Sequence, residues 1–228
     1  MVAFGNRATV AISMTALLLT TAACGEDGGT GSAEGNPLSK AQLSDAVLTT
    51  QRDLPGYAIR EVSGSGAEGS ARAIKKVCQP IIDVTQPGAT AYQKRLIMRS
   101  IAKKPTGSRN PAAVYLLALL STESEAAAEE FVKDLKSAIN ACDSGFRTTS
   151  TGIHNKIRSV TANKVRFGEG GVDFSLEYRT GVKIRYVVVQ DGAALTNISA
   201  QDQFAHTYMP VPEEIVDAQR RRLEKVTG

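Results

Sequence analysis

The spacing of apolar residues changes along the chain, from mainly helical in the first half to mainly alternating after residue 146. Apolar residues three and four positions apart indicate an amphipathic helix, whereas strict alternation indicates a half-buried strand. Helices are predicted over 40–51, 71–84 and 122–141, and from 212 onward. Strands are predicted over 57–62, 92–102, 113–120, 146–150, 157–167, 172–179, 182–190 and 194–200.

The helix predicted over 122–141 has the clearest pattern. Thr122 and Glu125 have the spacing of a capping box, as do Ser39 and Gln42 before the first helix. Its apolar residues fall on one stripe, which ends at Cys142. The stripe consists of Ala128, Phe131, Val132, Leu135, Ala138, Ile139 and Cys142.

The strands predict an antiparallel sheet. Residues 113–120 are nearly all apolar, which is typical of a central strand buried on both faces. Residues 172–179 alternate and predict one dry and one wet face. Asp191-Gly192 predicts a tight hairpin turn, and short connections make neighbouring strands antiparallel. The predicted fold class is α+β: about six or seven antiparallel strands with helices packed on them, and one disulfide.

Residues 1–23 have the pattern of an export signal. Arg7 is the only charged residue before Glu26, and the apolar run 8–19 is shorter than the roughly 20 residues that span a bilayer. A basic start, a short apolar run and small residues are typical of a signal peptide. Residues 24–37 are predicted to be a flexible tether, and 38–228 a single sensor-like or binding domain.

Thr21-Ala22-Ala23-Cys24 resembles the bacterial lipobox, whose cysteine is lipidated and becomes the mature N-terminus. The lipobox usually has Leu three residues before the cysteine, and this chain has Thr21 there. The same residues suit ordinary signal cleavage, which would secrete the protein freely. We expect lipidation of Cys24, which would attach the protein to the outer face of the cytoplasmic membrane.

The chain has three cysteines, an odd number. Whether Cys24 carries lipid or leaves with the signal peptide, Cys78 and Cys142 remain as a pair, and an oxidising compartment favours their disulfide. The alternative, a pair of metal ligands, lacks a companion Cys or His at ligand spacing. No metal site is predicted.

The net charge of +4 falls by one when Arg7 is removed. A charge this small does not indicate nucleic-acid binding, although a mildly basic surface suits anionic lipids or wall polymer. The chain has no Trp and only 5% aromatic residues, so few side chains could stack on bases or sugars.

One glycine pattern matches a cofactor motif. Residues 64–69 (GSGAEG) fit the dinucleotide-binding spacing G-x-G-x-x-G. Nicotinamide cofactors are not expected outside the membrane, and no series of βαβ units follows. A surface loop is the preferred interpretation, and no cofactor is predicted.

No catalytic constellation emerges from the remaining polar residues. His154 and His206 are expected at the surface, as are the adjacent acids Glu129-Glu130 and Glu213-Glu214. No G-x-S-x-G elbow is present. The basic run 220–222 is expected to be a solvated helix end, with contact to anionic headgroups or a partner as the alternative.

Several short motifs together resemble the extracellular sensor domain of PknH-type serine/threonine kinases and related small actinobacterial lipoproteins. They follow the lipobox-like start and the tether, and they are 53–57 (DLPGY), 78–80 (CQP), 141–142 (AC) and 145–146 (GF). The resemblance implies an antiparallel sheet with packed helices and a cleft for an unidentified ligand. The kinase sensor has two disulfides, whereas this chain has cysteines for one.

The function expected from these observations is a non-catalytic, lipid-anchored, extracytoplasmic binding or sensor-like domain. Its ligand could be a small molecule, a lipid or a protein, and nucleic acid is not expected. The alternatives are an assembly or interaction factor of the cell envelope, and an envelope hydrolase.

Overall fold

An eight-stranded antiparallel sheet carries the fold in the computed structural model, which describes residues 35–62, 71–88, 93–104, 113–150, 155–202 and 206–228. The strands are β1 (Tyr57–Glu61), β2 (Arg95–Lys103), β3 (Ala113–Ser121), β4 (Phe146–Arg147), β5 (Lys156–Ala162), β6 (Gly171–Tyr178), β7 (Lys183–Asp191) and β8 (Ala194–Asp202). Their order in the sheet is β1-β2-β3-β8-β7-β6-β5-β4. Because β8 lies between β3 and β7, the first and second halves of the chain share one sheet.

Four helices cover the two faces of the sheet: α1 (Lys40–Ala46), α2 (Gln79–Thr85), α3 (Glu125–Ala141) and α4 (Glu213–Thr227). Helices α2 and α3 contribute to one hydrophobic cluster, and α1 and α4 to another. Successive residues of a strand point to opposite faces. Ala118 and Leu120 of β3 accordingly belong to the first cluster, and Leu117 and Leu119 to the second. The predicted α+β class is confirmed.

The predicted stripe of α3 is buried as expected, but its N-terminal cap lies two residues later than predicted. The Ser124 hydroxyl accepts a hydrogen bond from the Ala127 N–H at 3.2 Å. Thr122 instead donates its hydroxyl proton to the carbonyls of Ala193 and Ser124. Thr122 therefore joins β3 to the β7–β8 turn rather than capping the helix.

Two predicted helices have different bounds in the structure. Helix α1 ends at Ala46, not near residue 51, because Val47 is extended and both Val47 and Leu48 are buried. In the 71–84 segment, only a 3₁₀ turn at Lys76–Cys78 and α2 are helical. Pro80 lies in the first turn of α2, where its missing N–H costs nothing, and this favours the start of the helix here rather than at residue 71.

Three expectations about the strands were also wrong. Strand β3 is not buried on both faces throughout, because Val114 and Leu116 are exposed. Strand β5 ends at Ala162, five residues earlier than predicted. On β6, Asp173 and Ser175 were expected to face water but are buried, and Asp173 forms an ion pair with Arg185 at 2.7 Å. Glu177 is partly exposed.

The disulfide between Cys78 and Cys142 is present, as predicted. Both cysteines are buried, and their Cα atoms lie 6.0 Å apart. The bond joins the 3₁₀ turn before α2 to the C-cap of α3. A helix as short as α2 is not stable by itself; the cross-link to α3 and the buried side chains Ile81, Ile82 and Val84 hold it in place.

Several predicted features lie outside the described residues. These are the signal segment, Cys24, most of the tether, the glycine motif at 64–69 and His154. Within the described part of the chain, no helix combines the length and hydropathy needed to cross a membrane.

Asp53 closes the turn between α1 and β1. Its Oδ2 accepts hydrogen bonds from the backbone N–H groups of Thr49 and Thr50, and Arg222 donates to its Oδ1. Burial raises the pKa of Asp53, but the bonds from Thr50 and Thr49 and the charge of Arg222 outweigh burial. The pKa of this carboxyl therefore lies below its usual value of 3.8.

Removal of the disulfide should destabilise the fold strongly. The cysteines are 64 residues apart, and chain entropy for a loop of this length predicts a loss of about 4 kcal/mol in the double variant Cys78→Ala/Cys142→Ala. Urea unfolding measures this loss. A reductant should destabilise the wild type to a similar extent and leave the double variant unchanged; a wild type that is equally stable after reduction would contradict the prediction.

Asp53→Asn should cost about 1 kcal/mol at neutral pH, because a neutral amide oxygen accepts these bonds less strongly. A carboxyl whose pKa is lowered on folding stabilises the protein fully above its unfolded pKa and loses that effect as the pH falls through the folded pKa. The difference between wild type and variant should therefore shrink as the pH falls below the ordinary value of 3.8. Urea unfolding at a series of pH values tests this, and a difference independent of pH would refute it.

Candidate ligand-binding face

The face of the sheet under α2 and α3 is only partly covered. Val114 and Leu116 of the central strand β3 are 37% and 40% exposed, although they share this face with the buried Ala118 and Leu120. Around these two apolar residues lie partly or fully exposed neighbours on β1, β2 and β8, namely Ala58, Ser100, Ala102, Ser199 and Gln201. We call these seven residues the open shelf. Val114 and Leu116 are adjacent on this face, and a contiguous exposed apolar patch is one mark of a binding surface.

A small recess lies on the same face, between α2, α3 and the strands β3, β7 and β8. Its apolar lining consists of Val84, Leu120, Phe131, Val188 and Leu195. Its polar lining consists of Asp83, Gln93, Thr122 and Asn197. The volume of the recess, about 10 Å³, admits roughly one water-sized group. The recess therefore suits the end of a ligand rather than a whole molecule.

Asn197 is the distinctive residue of this recess. It lies in the middle of β8, is 6% exposed, and donates from Nδ2 to the Val84 carbonyl of α2 at 2.8 Å. That bond turns its Oδ1 away from Val84, and Oδ1 has no hydrogen-bond partner among the described residues. A buried acceptor without a partner costs about 1–3 kcal/mol. A side chain in this state is suited to receive a hydrogen bond from a ligand.

Two further oxygens share the recess with Asn197. The Oε1 of Gln93 is also buried and has no partner within the described segments. Asp83 of α2 is 8% exposed and accepts a hydrogen bond from Gln79 Nε2 at 2.8 Å. The recess thus combines an apolar wall with side-chain oxygens on several sides.

A larger groove, of about 390 Å³, lies at the turn between the central strands β7 and β8, beside α4 and the segment that begins at Gly35. Asp191 in this groove is paired with Arg220 at 3.2 Å. Burial raises the pKa of Asp191; the charge of Arg220 opposes that effect, and the charge of Glu224 adds to it. Because Arg220 belongs to this ion pair, it joins α4 to the β7–β8 turn.

The other residues of the basic run behave differently from one another. Arg222 contacts Asp53 and the Asp45 carbonyl, whereas Arg221 is exposed. The expectation of a solvated helix end therefore holds only for Arg221. Arg220 and Arg222 stabilise the docking of α4 within the domain.

Among the described residues, the candidate acid–base side chains do not converge on one site. His206 is exposed, and its backbone N–H donates to Asp202. Glu129 and Glu130 are exposed on α3. Across the described ranges, no three His, Cys, Asp or Glu residues come together in a group that could hold a metal ion.

The second acidic pair is engaged within the fold. Glu213 pairs with Arg166 at 2.7 Å, and Glu214 accepts a hydrogen bond from the Tyr57 hydroxyl at 2.8 Å. Burial first, and then this bond to Glu214, raise the pKa of Tyr57 far above its usual value. These groups hold α4 on the sheet, with Tyr57 as a neutral donor.

Asn197 and Gln93 were not identified as site residues from the sequence. The triplet 197–199 (NIS) fits a glycosylation sequon, which does not indicate a ligand-binding role for Asn197. An available signal was the presence of Asn197 inside a strand whose neighbours Leu195 and Ile198 are apolar. A polar residue in such a strand indicates a buried hydrogen bond or a site.

Neither protein-family models nor curated protein sequences contain a match to this chain. Among solved structures, the extracellular domain of PknH from Mycobacterium tuberculosis superposes over 84% of this chain and 97% of its own, with a TM-score of 0.52 and 11% identity. A putative uncharacterized protein from Mycobacterium smegmatis (Rv0999 ortholog) covers 82% of this chain and 92% of its own, at 9% identity and a TM-score of 0.31, too low to support an argument. The first correspondence shows that this chain has the fold of the PknH extracellular domain, as the sequence resemblance predicted.

Proposed function

We propose that this protein is an extracytoplasmic, sensor-like binding domain that uses the face formed by the open shelf and the Asn197 recess. The observation that carries the proposal is the exposure of Val114 and Leu116 on a central strand, beside a recess with two buried oxygens that have no hydrogen-bond partner among the described residues. Neighbouring apolar side chains that share an exposed surface mark interaction sites, and buried polar atoms normally have hydrogen-bond partners. An occupant would satisfy both.

The proposed location outside the cytoplasm has three supports. A buried disulfide of this kind forms and persists in oxidising compartments. The first 23 residues have the pattern of an export signal. The structure that shares the fold is an extracellular domain of PknH. We therefore place the domain on the outer side of the cytoplasmic membrane.

A binding role without catalysis agrees with the distribution of reactive groups. General acid–base chemistry needs groups within hydrogen-bond reach of one substrate atom. In the described residues, Glu213, Glu214 and Asp191 are each engaged in a contact that docks α4. The recess offers hydrogen-bond acceptors and apolar contacts, which suit recognition.

An assembly or interaction factor is the second candidate function, and the open shelf favours it. The shelf is made of short strand side chains around Val114 and Leu116 and is broad, whereas the recess is small. A protein partner could cover such a surface. The mass of whatever occupies the shelf distinguishes the two functions.

Photo-crosslinking in the cell tests the proposal directly. Leu116→p-benzoylphenylalanine places a light-activated group on the open shelf of the full chain. Val165, which is also 40% exposed but lies between β5 and β6, provides the matched control. We expect an adduct of small mass from position 116 and none from position 165, measured by mass spectrometry of the intact protein.

A protein-sized adduct confined to position 116 would favour the assembly factor over the sensor-like domain. If positions 116 and 165 give the same adducts, or neither gives any, the open shelf is not the binding surface.

Lipid anchoring through Cys24 is part of the same proposal, and its test is separate. Cys24→Ala should release the protein from the membrane or stop its processing, because the thiol that would carry the lipid is absent. Thr21→Leu, which restores the usual lipobox residue, is the control and should retain the anchor. Fractionation of cells, with the mass of the N-terminal peptide, measures both. Unchanged membrane retention of Cys24→Ala would contradict lipidation.

A further inference from the structure

We infer that the outer edge of β1 binds an extended, acidic segment of a partner protein, which adds one further strand to the sheet. Pairing of an extended peptide with a sheet edge is a recurring mode of recognition. This inference goes beyond the proposed function and does not depend on the ligand of the Asn197 recess. It rests on the backbone groups that point outward from β1, on the groove beside them and on the charge of that groove.

The hydrogen bonds of β1 show which of its backbone groups face away from β2. The Val62 N–H, just after the strand, donates to the Met98 carbonyl of β2 at 3.4 Å. Alternate residues of an antiparallel strand bond to one neighbour, and the residues between them direct their N–H and C=O groups to the other side. Ile59 and Glu61 lie an odd number of residues before Val62, so their groups point outward. Because β1 is the first strand of the sheet, no described strand pairs with them.

The opposite edge of the sheet, at β4, is covered by another part of the chain. The Ile74 N–H donates to the Arg147 carbonyl, and the Thr149 N–H donates to the Arg72 carbonyl, both at 2.9 Å. Proteins usually cover or shorten an edge strand, since its free backbone groups invite another chain. Strand β1 has five residues in regular register with β2, which is an ordinary strand length. It is therefore an edge on which a further strand can pair.

A groove of about 600 Å³ lies beside the outer edge of β1. One wall consists of Ala58, Ile59 and Arg60, and the other of the turn at 49–52. The volume is within the range of ligand-binding sites. A strand that pairs with β1 lies about 4.8 Å from it, so the added strand would occupy this groove.

The charge of the groove favours an acidic occupant. Arg52 and Arg60 line the groove, both are exposed, and neither has an ion-pair partner among the described residues. Lys104 brings a third cation to the groove, because its ammonium group donates to Gln51 of the lining. The described lining includes no carboxylate. Carboxylate side chains on the added strand would supply the missing partners.

The two carboxylates close to the groove each have a cation of their own. Asp53 pairs with Arg222. Glu61 points to the opposite face of the sheet from Arg60, and its register partner on β2 is Arg99. Opposite charges in register on neighbouring strands attract each other. The positive charge of the groove is therefore left for a partner.

A second copy of this chain does not fit the same edge. Its own β1 would bring another Arg52 and another Arg60 to the groove, and like charges on paired strands are destabilising. The occupant that complements the edge is a segment of a different protein, extended in conformation and acidic in composition.

The first experiment uses a fluorescently labelled peptide in which glutamate alternates with valine, so that its carboxylates lie on one face. A peptide with lysine in place of glutamate is the matched probe of opposite charge. Fluorescence anisotropy with the full chain in detergent micelles measures binding. We expect the acidic peptide to bind at least roughly tenfold more tightly, the effect of one charge-assisted hydrogen bond. Equal binding of the two peptides, or no binding of the acidic one, would overturn the inference.

Two variants of Glu61 test whether the backbone edge is used. Glu61→Pro removes an outward N–H, and proline is tolerated on an edge strand when its nitrogen faces away from the neighbour. Glu61→Ala removes the same side chain but keeps the N–H. Glu61→Pro should weaken binding of the acidic peptide about tenfold relative to Glu61→Ala. Equal binding by the two folded variants would refute strand addition.

A charge reversal tests the preference for acidic peptides and decides the question if Glu61→Pro does not fold. Arg60→Glu should favour the lysine peptide over the glutamate peptide, because it places a carboxylate in the groove. Arg221→Glu makes the same change at an exposed position on α4 and should keep the preference of the wild type. An unchanged preference in the Arg60→Glu protein would contradict the inference.

Amide hydrogen exchange, followed by NMR, distinguishes strand addition from attraction of any anion. In the free chain the amides of Ile59 and Glu61 should exchange rapidly, whereas that of Arg60, which faces β2, should exchange slowly. The acidic peptide should slow the first two, and inorganic phosphate should not. Slow exchange of Ile59 and Glu61 in the free chain would show that the edge is already occupied. That result, or equal effects of the peptide and phosphate, would overturn the inference.

Discussion

The disulfide between Cys78 and Cys142 holds the helix that borders the candidate ligand-binding face. Helix α2 has seven residues, too few to hold a helical conformation in water without tertiary support. The cross-link ties its N-terminal end to the C-cap of the longer α3. Asn197 ties its C-terminal half to the sheet through the Val84 carbonyl. Between these two attachments α2 covers part of the face, which leaves the recess beside it and the open shelf beyond.

The opposite face of the sheet is closed by a different set of contacts. Gln219 of α4 is fully buried; it accepts a hydrogen bond from the Leu48 N–H and donates one to the Ala46 carbonyl. The Tyr57 hydroxyl bonds Glu214, and Arg222 bonds Asp53. These contacts provide hydrogen-bond partners for backbone groups at the C-terminal end of α1. They also dock α4 over an apolar cluster. The closure of this face is the reason that binding is assigned to the other one.

The buried ion pair of Asp173 and Arg185 shows how the sheet holds polar residues away from the binding face. Both oxygens of Asp173 accept hydrogen bonds from Arg185, and Asn163 donates to one of them. The pair is thus bidentate and further hydrogen-bonded, the arrangement in which a buried charge is tolerated. Asn197 has one bond and an unpartnered oxygen by comparison. Asn197 therefore differs from the fully paired Asp173, and its position in the recess makes it the candidate ligand-binding residue.

Local patterns in the sequence determined most of the elements and one long-range contact. The stripe of α3 and the alternation of β6 reflect periodicity, which depends only on backbone geometry. The pairing of Cys78 with Cys142 followed from the small number of cysteines. The tertiary structure decided which faces are covered: Asp173 became buried, and Leu116 stayed exposed. Periodicity assigns a residue to a face, but whether that face meets water depends on the length and attachment of a distant helix. For the same reason only the folded chain placed Asn197 beside Gln93.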